Sequence, residues 1–114
     1  MSDGYRAIAK NIDISAQKVR LVVDLVRGKP VVEALDMLKF VPNRSAKPVY
    51  KLVRSAMINA EENFGISRNN LVVDRIFADE SRTLRRGRAG ARGRYKPWLR
   101  RSSHITVVLK ELAG

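Results

Sequence analysis

Between residues 81 and 103 the chain carries eight arginines (Arg82, Arg85, Arg86, Arg88, Arg92, Arg94, Arg100 and Arg101) and Lys96, with no acidic residue among them. The apolar residues of this stretch, chiefly Leu84, Tyr95, Trp98 and Leu99, are too sparse to anchor a core. The segment must therefore lie outside the hydrophobic interior, yet it does not end the chain. Residues rich in strand formers precede it at 71–78 and return after it at 104–112. With both ends fixed, the economical geometry is a hairpin whose strands run on past the domain edge. About ten residues a side at roughly 3.3 Å each would reach on the order of 30 Å. Gly87, Gly90 and Gly93 permit positive φ angles and mark the expected tip, residues 87–93, which comprises Gly87, Arg88, Ala89, Gly90, Ala91, Arg92 and Gly93. The competing reading, a disordered basic tail, fits poorly with a strand that follows the arm.

This arm also dominates the electrostatics. Lys and Arg total 23 against 11 Asp and Glu, a net charge of +12. Residues 81–114 contribute +9 of that and the first 80 only +3. Such a chain calls for an anionic partner: nucleic acid, an anionic membrane or an acidic protein. Arginine so outnumbers lysine in the arm that structured RNA is favoured, because a planar guanidinium grips phosphate with two hydrogen bonds and stacks on bases. Tyr95 and Trp98 are candidate stacking partners for unpaired bases.

A length of 114 residues fits one domain spanning 1–114, with 81–103 as its projecting arm. The absence of cysteine excludes disulfides and thiolate metal sites. No apolar run approaches the roughly 18 to 20 residues of a membrane span, and the N-terminus lacks a basic segment followed by an apolar one. A soluble chain without a cleavable signal, a membrane partner, a metal or a cofactor is expected.

Ahead of the arm, residues 5–12 read as a short edge strand, with Ile8 and Ile12 on one side and Arg6 and Lys10 interrupting that side. Ser15 can cap a first helix, with Ile14 and Val19 as a hydrophobic staple. Val19, Val22, Val23 and Val26 form its apolar stripe, backed by Leu21 and Leu25, and Gly28 supplies a left-handed end. Four valines depress helix propensity, so packing must hold this helix. Pro30 opens a short second helix with Val31, Ala34, Leu35 and Leu38 on one side and Pro42 beyond its end. A third runs from about residue 45 to 63 on the stripe Val49, Leu52, Val53, Ala56 and Ala60, closed by Gly65. Lys47, Lys51 and Arg54 lie away from that stripe, on the solvent or RNA side. The expected fold is α+β: a small antiparallel sheet packed with three helices, with a long protruding basic β-hairpin.

Catalytic readings find little support. His104 is the sole histidine and reads as a strand residue making one hydrogen bond. Asp79 and Glu80 are adjacent, so in a strand they point to opposite faces and suit local pairing with arginine better than acid–base work. The glycines of the arm lack the lysine and hydroxyl residue of a phosphate loop. Lys18 and Arg20 on the first helix, together with Arg27, suit phosphate binding or a solvated face equally well. The RNA-binding set is therefore Lys18, Arg20, Arg82, Arg85, Arg86, Arg88, Arg92, Arg94, Lys96, Arg100 and Arg101, and no catalytic residue is assigned.

Three stretches resemble the bacterial-type large-subunit ribosomal protein twenty-two family. They are Ser15, Lys18, Val19 and Arg20 running on to Val26-Arg27-Gly28; Ala56, Asn59, Ala60 and Asn63; and Ala91-Arg92-Gly93-Arg94 with Arg101-Ser102-Ser103-His104-Ile105-Thr106-Val107. The resemblance implies a non-enzymatic structural constituent of the large ribosomal subunit that binds ribosomal RNA and aids subunit assembly. It further implies that the hairpin tip lines the nascent-peptide exit tunnel. Its partners would be large-subunit ribosomal RNA, neighbouring ribosomal proteins and the nascent polypeptide; the chain would not be a homo-oligomer. Its location would be the cytoplasmic ribosome, or an organellar one. Ala16-Gln17 and Ala89-Gly90 depart from the family's usual proline-containing pairs, the second bearing on the shape of the tip. The alternatives are a general nucleoid-type nucleic-acid-binding protein, an adaptor for an acidic protein, and a hydrolase centred on His104.

Overall fold

A computed structural model describes residues 5–81, 84–89 and 95–112, with 84–100 described by backbone alone where it is described. Among the described residues, five strands, β1 (Tyr5–Ile12), β2 (Leu71–Glu80), β3 (Leu84–Ala89), β4 (Tyr95–Arg100) and β5 (Ser103–Glu111), accompany three α-helices, α1 (Ala16–Val26), α2 (Val31–Lys39) and α3 (Ala46–Phe64). β1, β5 and β2 form an antiparallel sheet with β5 in the middle, and β3 pairs antiparallel with β4 as a separate two-stranded ladder. The three helices and the three-stranded antiparallel sheet make the α+β body that the hydrophobic pattern predicts.

The core lies between the helices and one sheet face. The valine stripe of α1 is fully buried, as are Val31 and Ala34 of α2, Val49, Val53, Ala56 and Ala60 of α3, and Leu71, Val73, Ile76, Ile105, Val107 and Leu109 of the sheet. β-Branched side chains with few rotamers lose little entropy on such burial, which offsets their poor helix propensity. Val108 is buried on the other face because it lies between Arg6 and Arg75 in the pairing register.

Several local expectations need correction. Leu21 and Leu25 do not back the stripe of α1; they are 65% and 45% exposed, on the flank that a 3.6-residue period turns away from the core. Ser15 stands at the N-cap position with extended backbone, but its side chain makes no capping bond. Gly28 has φ +80 as expected, yet Arg27 intervenes in an extended conformation, and the Gly28 N–H donates to Val73 O at 2.9 Å. The chain leaving α1 thus pairs with β2 instead of closing the helix. Gly65 does close α3: at φ +67 it lets its own N–H reach Glu61 O and the Ile66 N–H reach Ala60 O.

The edge strand holds the largest surprise. Ile8 and Ile12 do not share a face, because the β1–β5 register shifts between Ala9 and Ile12 and Asn11 sits at φ +57. One extra residue exchanges the two faces of an alternating strand. Tyr5, Ala7 and Ala9 pack against the core before the bulge and Ile12 after it, leaving Ile8 48% exposed.

Candidate nucleic-acid interface

The strand pair of the arm follows the body ladder along the chain on both sides. Glu80 pairs with Ser103, the Ser81 N–H donates to Ser102 O at 3.0 Å, and the second ladder begins at Leu84 opposite Arg100. From Glu80 to Leu84 the outgoing side advances four residues while the returning side, Ser103 to Arg100, advances three. The two ladders are thus one residue out of step.

Side chains from three strands brace this root. Asn11, in its left-handed conformation, donates its backbone N–H to His104 Nδ1 at 3.0 Å and accepts from Ser81 Oγ on its Oδ1 at 3.1 Å. Asparagine is among the few residues that tolerate this backbone region, so the bulge and the clamp are made by the same residue. Ser103, fully buried, donates its hydroxyl to Ile14 O at 2.8 Å. The end of β1 is thereby tied to the start of β5, and the end of β2 to β1. Among the described residues His104 makes one side-chain hydrogen bond, as expected of it. Asp79 and Glu80, expected to pair with arginine, are exposed and make no ion pair with a described arginine; the register sets them opposite His104 and Ser103 instead.

The expected RNA-binding residues fall in three places. Arg85, Arg86 and Arg88 lie on β3, Lys96 and Arg100 on β4, and Arg101 is exposed at the root. Arg82, Arg92 and Arg94 lie outside the described residues, as do Gly90, Ala91 and Gly93 of the expected tip. Gly87, Arg88 and Ala89, expected in the tip, belong to β3, where they pair with Pro97, Lys96 and Tyr95; extended pairing carries further toward the middle of the arm than the glycine spacing suggested.

Lys18 and Arg20 sit on exposed positions of α1, but their surroundings differ. Arg20 Nε donates to Ala78 O at 3.1 Å, and Arg27 donates to Ile76 O at 2.8 Å while pairing with Asp24 at 2.6 Å. These two carbonyls lie on the side of β2 away from β5. Arg20 of α1 and Arg27 just past its end therefore cover an otherwise open sheet edge, a role that charge counting did not reveal. Nothing comparable engages Lys18 among the described residues. The described residues include no cluster of His, Asp and Glu able to hold a metal, and no helix long and apolar enough to cross a membrane.

Comparison with known proteins gives a consistent result. The sequence model for "Ribosomal protein L22p/L17e" matches residues 7–110. Proteins named "Large ribosomal subunit protein uL22" from Dehalococcoides mccartyi strains 195, BAV1 and CBDB1 are each 52% identical over 106 residues, covering 93% of this chain and 97% of theirs. A match that takes in β1, all three helices, the arginine-rich arm and the returning strand places this chain in the L22p/L17e family of ribosomal proteins.

Proposed function

We propose that the chain is a structural constituent of the large ribosomal subunit that binds ribosomal RNA through its arm, aids subunit assembly, and lines the nascent-peptide exit tunnel with the end of that arm. Membership of the family carries the first part: this is a large-subunit ribosomal protein with a structural and not a catalytic role, working in translation. The observation that carries the rest is an acid-free run of nine basic residues, five of which (Arg85, Arg86, Arg88, Lys96 and Arg100) lie on the paired strands β3 and β4. A long axis of 67 Å against 30 and 19 Å, and a radius of gyration of 17.2 Å where a compact chain of this length would have about 13 Å, support an arm that reaches away from the core. A braced root suits the task, since it fixes the direction in which the cations enter an RNA junction before any RNA is bound.

The arm's affinity is electrostatic in this reading. The logarithm of affinity for a large-subunit ribosomal RNA transcript should fall with the logarithm of salt by roughly 0.7 to 0.9 per phosphate engaged. Replacing Arg85, Arg86 and Arg88 by alanine should flatten that dependence and weaken retention on large subunits during sedimentation, with the melting curve of the body unchanged. Tunnel lining is tested by a photo-crosslinker at position 88 in ribosomes stalled on a nascent chain. Crosslinks to RNA and nascent chain are expected; a crosslinker that reacts only with this chain's own body would refute the placement.

A further inference from the structure

The body carries a second group of cations, on the exposed side of α3. Lys47, Lys51 and Arg54 recur at helical spacing, all exposed, and none lies within ion-pair distance of a described carboxylate. The position of the first of them is unfavourable for the helix itself. Lys47 stands in the first turn, where the macrodipole favours an acidic residue, and that turn contains none. Arg44 lies just before it. A cation in the first turn, in line with two more cations on the same exposed side, points to an anionic ligand more than to helix stability.

Two open hollows flank this row. One, of about 540 Å³, is lined by Ala9 and Ile12 of β1 with Pro48, Leu52, Lys47, Lys51 and Ser55. The other, of about 460 Å³, is lined by Tyr50, Ile58 and Asn59 with Arg54, Lys47, Lys51 and Ser55. Lys47, Lys51 and Ser55 border both, so they form a ridge with a largely apolar trough on either side. The first trough exists because the Asn11 bulge turns Ile12 inward beside α3.

We infer that this ridge is a second ribosomal RNA site, separate from the arm, in which Lys47, Lys51 and Arg54 engage the phosphates of an unpaired strand and the troughs receive its bases. The inference rests on the reading of the chain as an RNA-binding ribosomal protein. Apolar and aromatic surface beside cations is the arrangement that accepts single-stranded RNA, with Tyr50 available for stacking and Ser55 and Asn59 for hydrogen bonds to base edges. An acidic protein segment would use the cations but has no need of two troughs.

The test compares the full chain with two variants on a protein-free large-subunit ribosomal RNA transcript: Lys47→Ala/Lys51→Ala/Arg54→Ala on the ridge and Arg85→Ala/Arg86→Ala/Arg88→Ala on the arm. The ridge variant is expected to lower the slope of log affinity against log salt by about 2 to 3, with an unchanged circular dichroism melt. If only the arm variant lowers the slope, the second site is wrong and the arm reading survives; if neither does, both fail. Ser55→Tyr, which keeps every charge and fills the ridge's flanks, should weaken binding at least several-fold without changing the slope, and undiminished binding would overturn the role given to the troughs. A ridge variant that binds the transcript normally but is lost from assembled subunits would assign the surface to a protein and refute the inference.

Discussion

Removing one oxygen atom at the root, in Ser103→Ala, tests whether the arm's direction is set by the body. The hydroxyl donates to Ile14 O at 2.8 Å from a fully buried position. Ile14 precedes the helix, so its carbonyl takes no part in the α1 ladder, which begins with bonds to Ser15 O. Losing the bond alone would cost about 0.5 to 1.5 kcal/mol, and stranding a buried acceptor about 1 to 3 kcal/mol. Ile14 is half-buried, which admits some water to its carbonyl and puts the expected loss at about 1 to 2.5 kcal/mol. A chain of this length has an unfolding entropy of about 240 cal/mol/K, so the melting temperature should drop by about 4 to 10 °C. Urea denaturation gives the free energy and hydrogen exchange gives the location. The Ser81 amide, bonded to Ser102 O one step beyond the body ladder, should lose more protection than Val73 at the other end of β2. A stability change below about 0.5 kcal/mol would refute the argument that this hydroxyl is the carbonyl's obligatory partner. Uniform loss of protection along β2 would show that Ser103 holds the body without steering the arm.

Two further outcomes follow from the same geometry. Asn11→Gly should fold nearly as well as the parent while Asn11→Val loses about 1 to 2 kcal/mol, because φ +57 is open to glycine and hostile to a β-branched residue; equal stabilities in urea would show that the bulge relaxes at no cost. Glu61 accepts two hydrogen bonds of 2.8 Å from Arg68, and the first cause of its carboxyl lying below the ordinary value of 4.5 is that side-chain bonding. Its folded value is thus below its unfolded one, so the stabilisation is present above pH 4.5 and lost as pH falls through the folded value. Glu61→Gln should therefore melt below the parent at pH 7 and converge with it in acid; a gap that does not shrink as pH is lowered through and below 4.5 would contradict the assignment.

The periodic features of the chain were legible in advance. Stripes such as Val19-Val22-Val23-Val26 and Val49-Leu52-Val53-Ala56-Ala60 repeat the same information over several turns, and the observed helices and strands begin and end close to where those stripes do. Features decided by a single residue against a distant partner were not. The bulge at Asn11 depends on His104 and Ser81, 93 and 70 positions away, so the apparent alternation of Ile8 and Ile12 misled. One signal was available: asparagine before Ile12 is a residue able to take positive φ inside a strand-like run. The exposure of Leu21 and Leu25 was also open to a stricter count of helical angle, since both fall two places from members of the valine stripe.

Charge was the strongest clue and also the least discriminating one. Within the body, Arg20 and Arg27 are engaged by the carbonyls of β2, and Arg68 by Glu61. Each of these cations satisfies the protein's own acceptors and so has less to offer a phosphate, whatever the net charge says. Lys18, Lys47, Lys51 and Arg54 have no such engagement among the described residues, although only Lys18 belonged to the expected set. The same bonds connect Arg20 and Arg27 to the strand that leads into the arm. By holding Ala78 O and Ile76 O they pin the outgoing strand to α1 just before it leaves the body. An RNA partner pulling on the arm would load β2 along its length, and that load passes into the buried valine face of α1. Replacing these arginines would then weaken binding by freeing the arm's base to wander, and that loss would leave the salt dependence of affinity intact, unlike the loss of a phosphate contact.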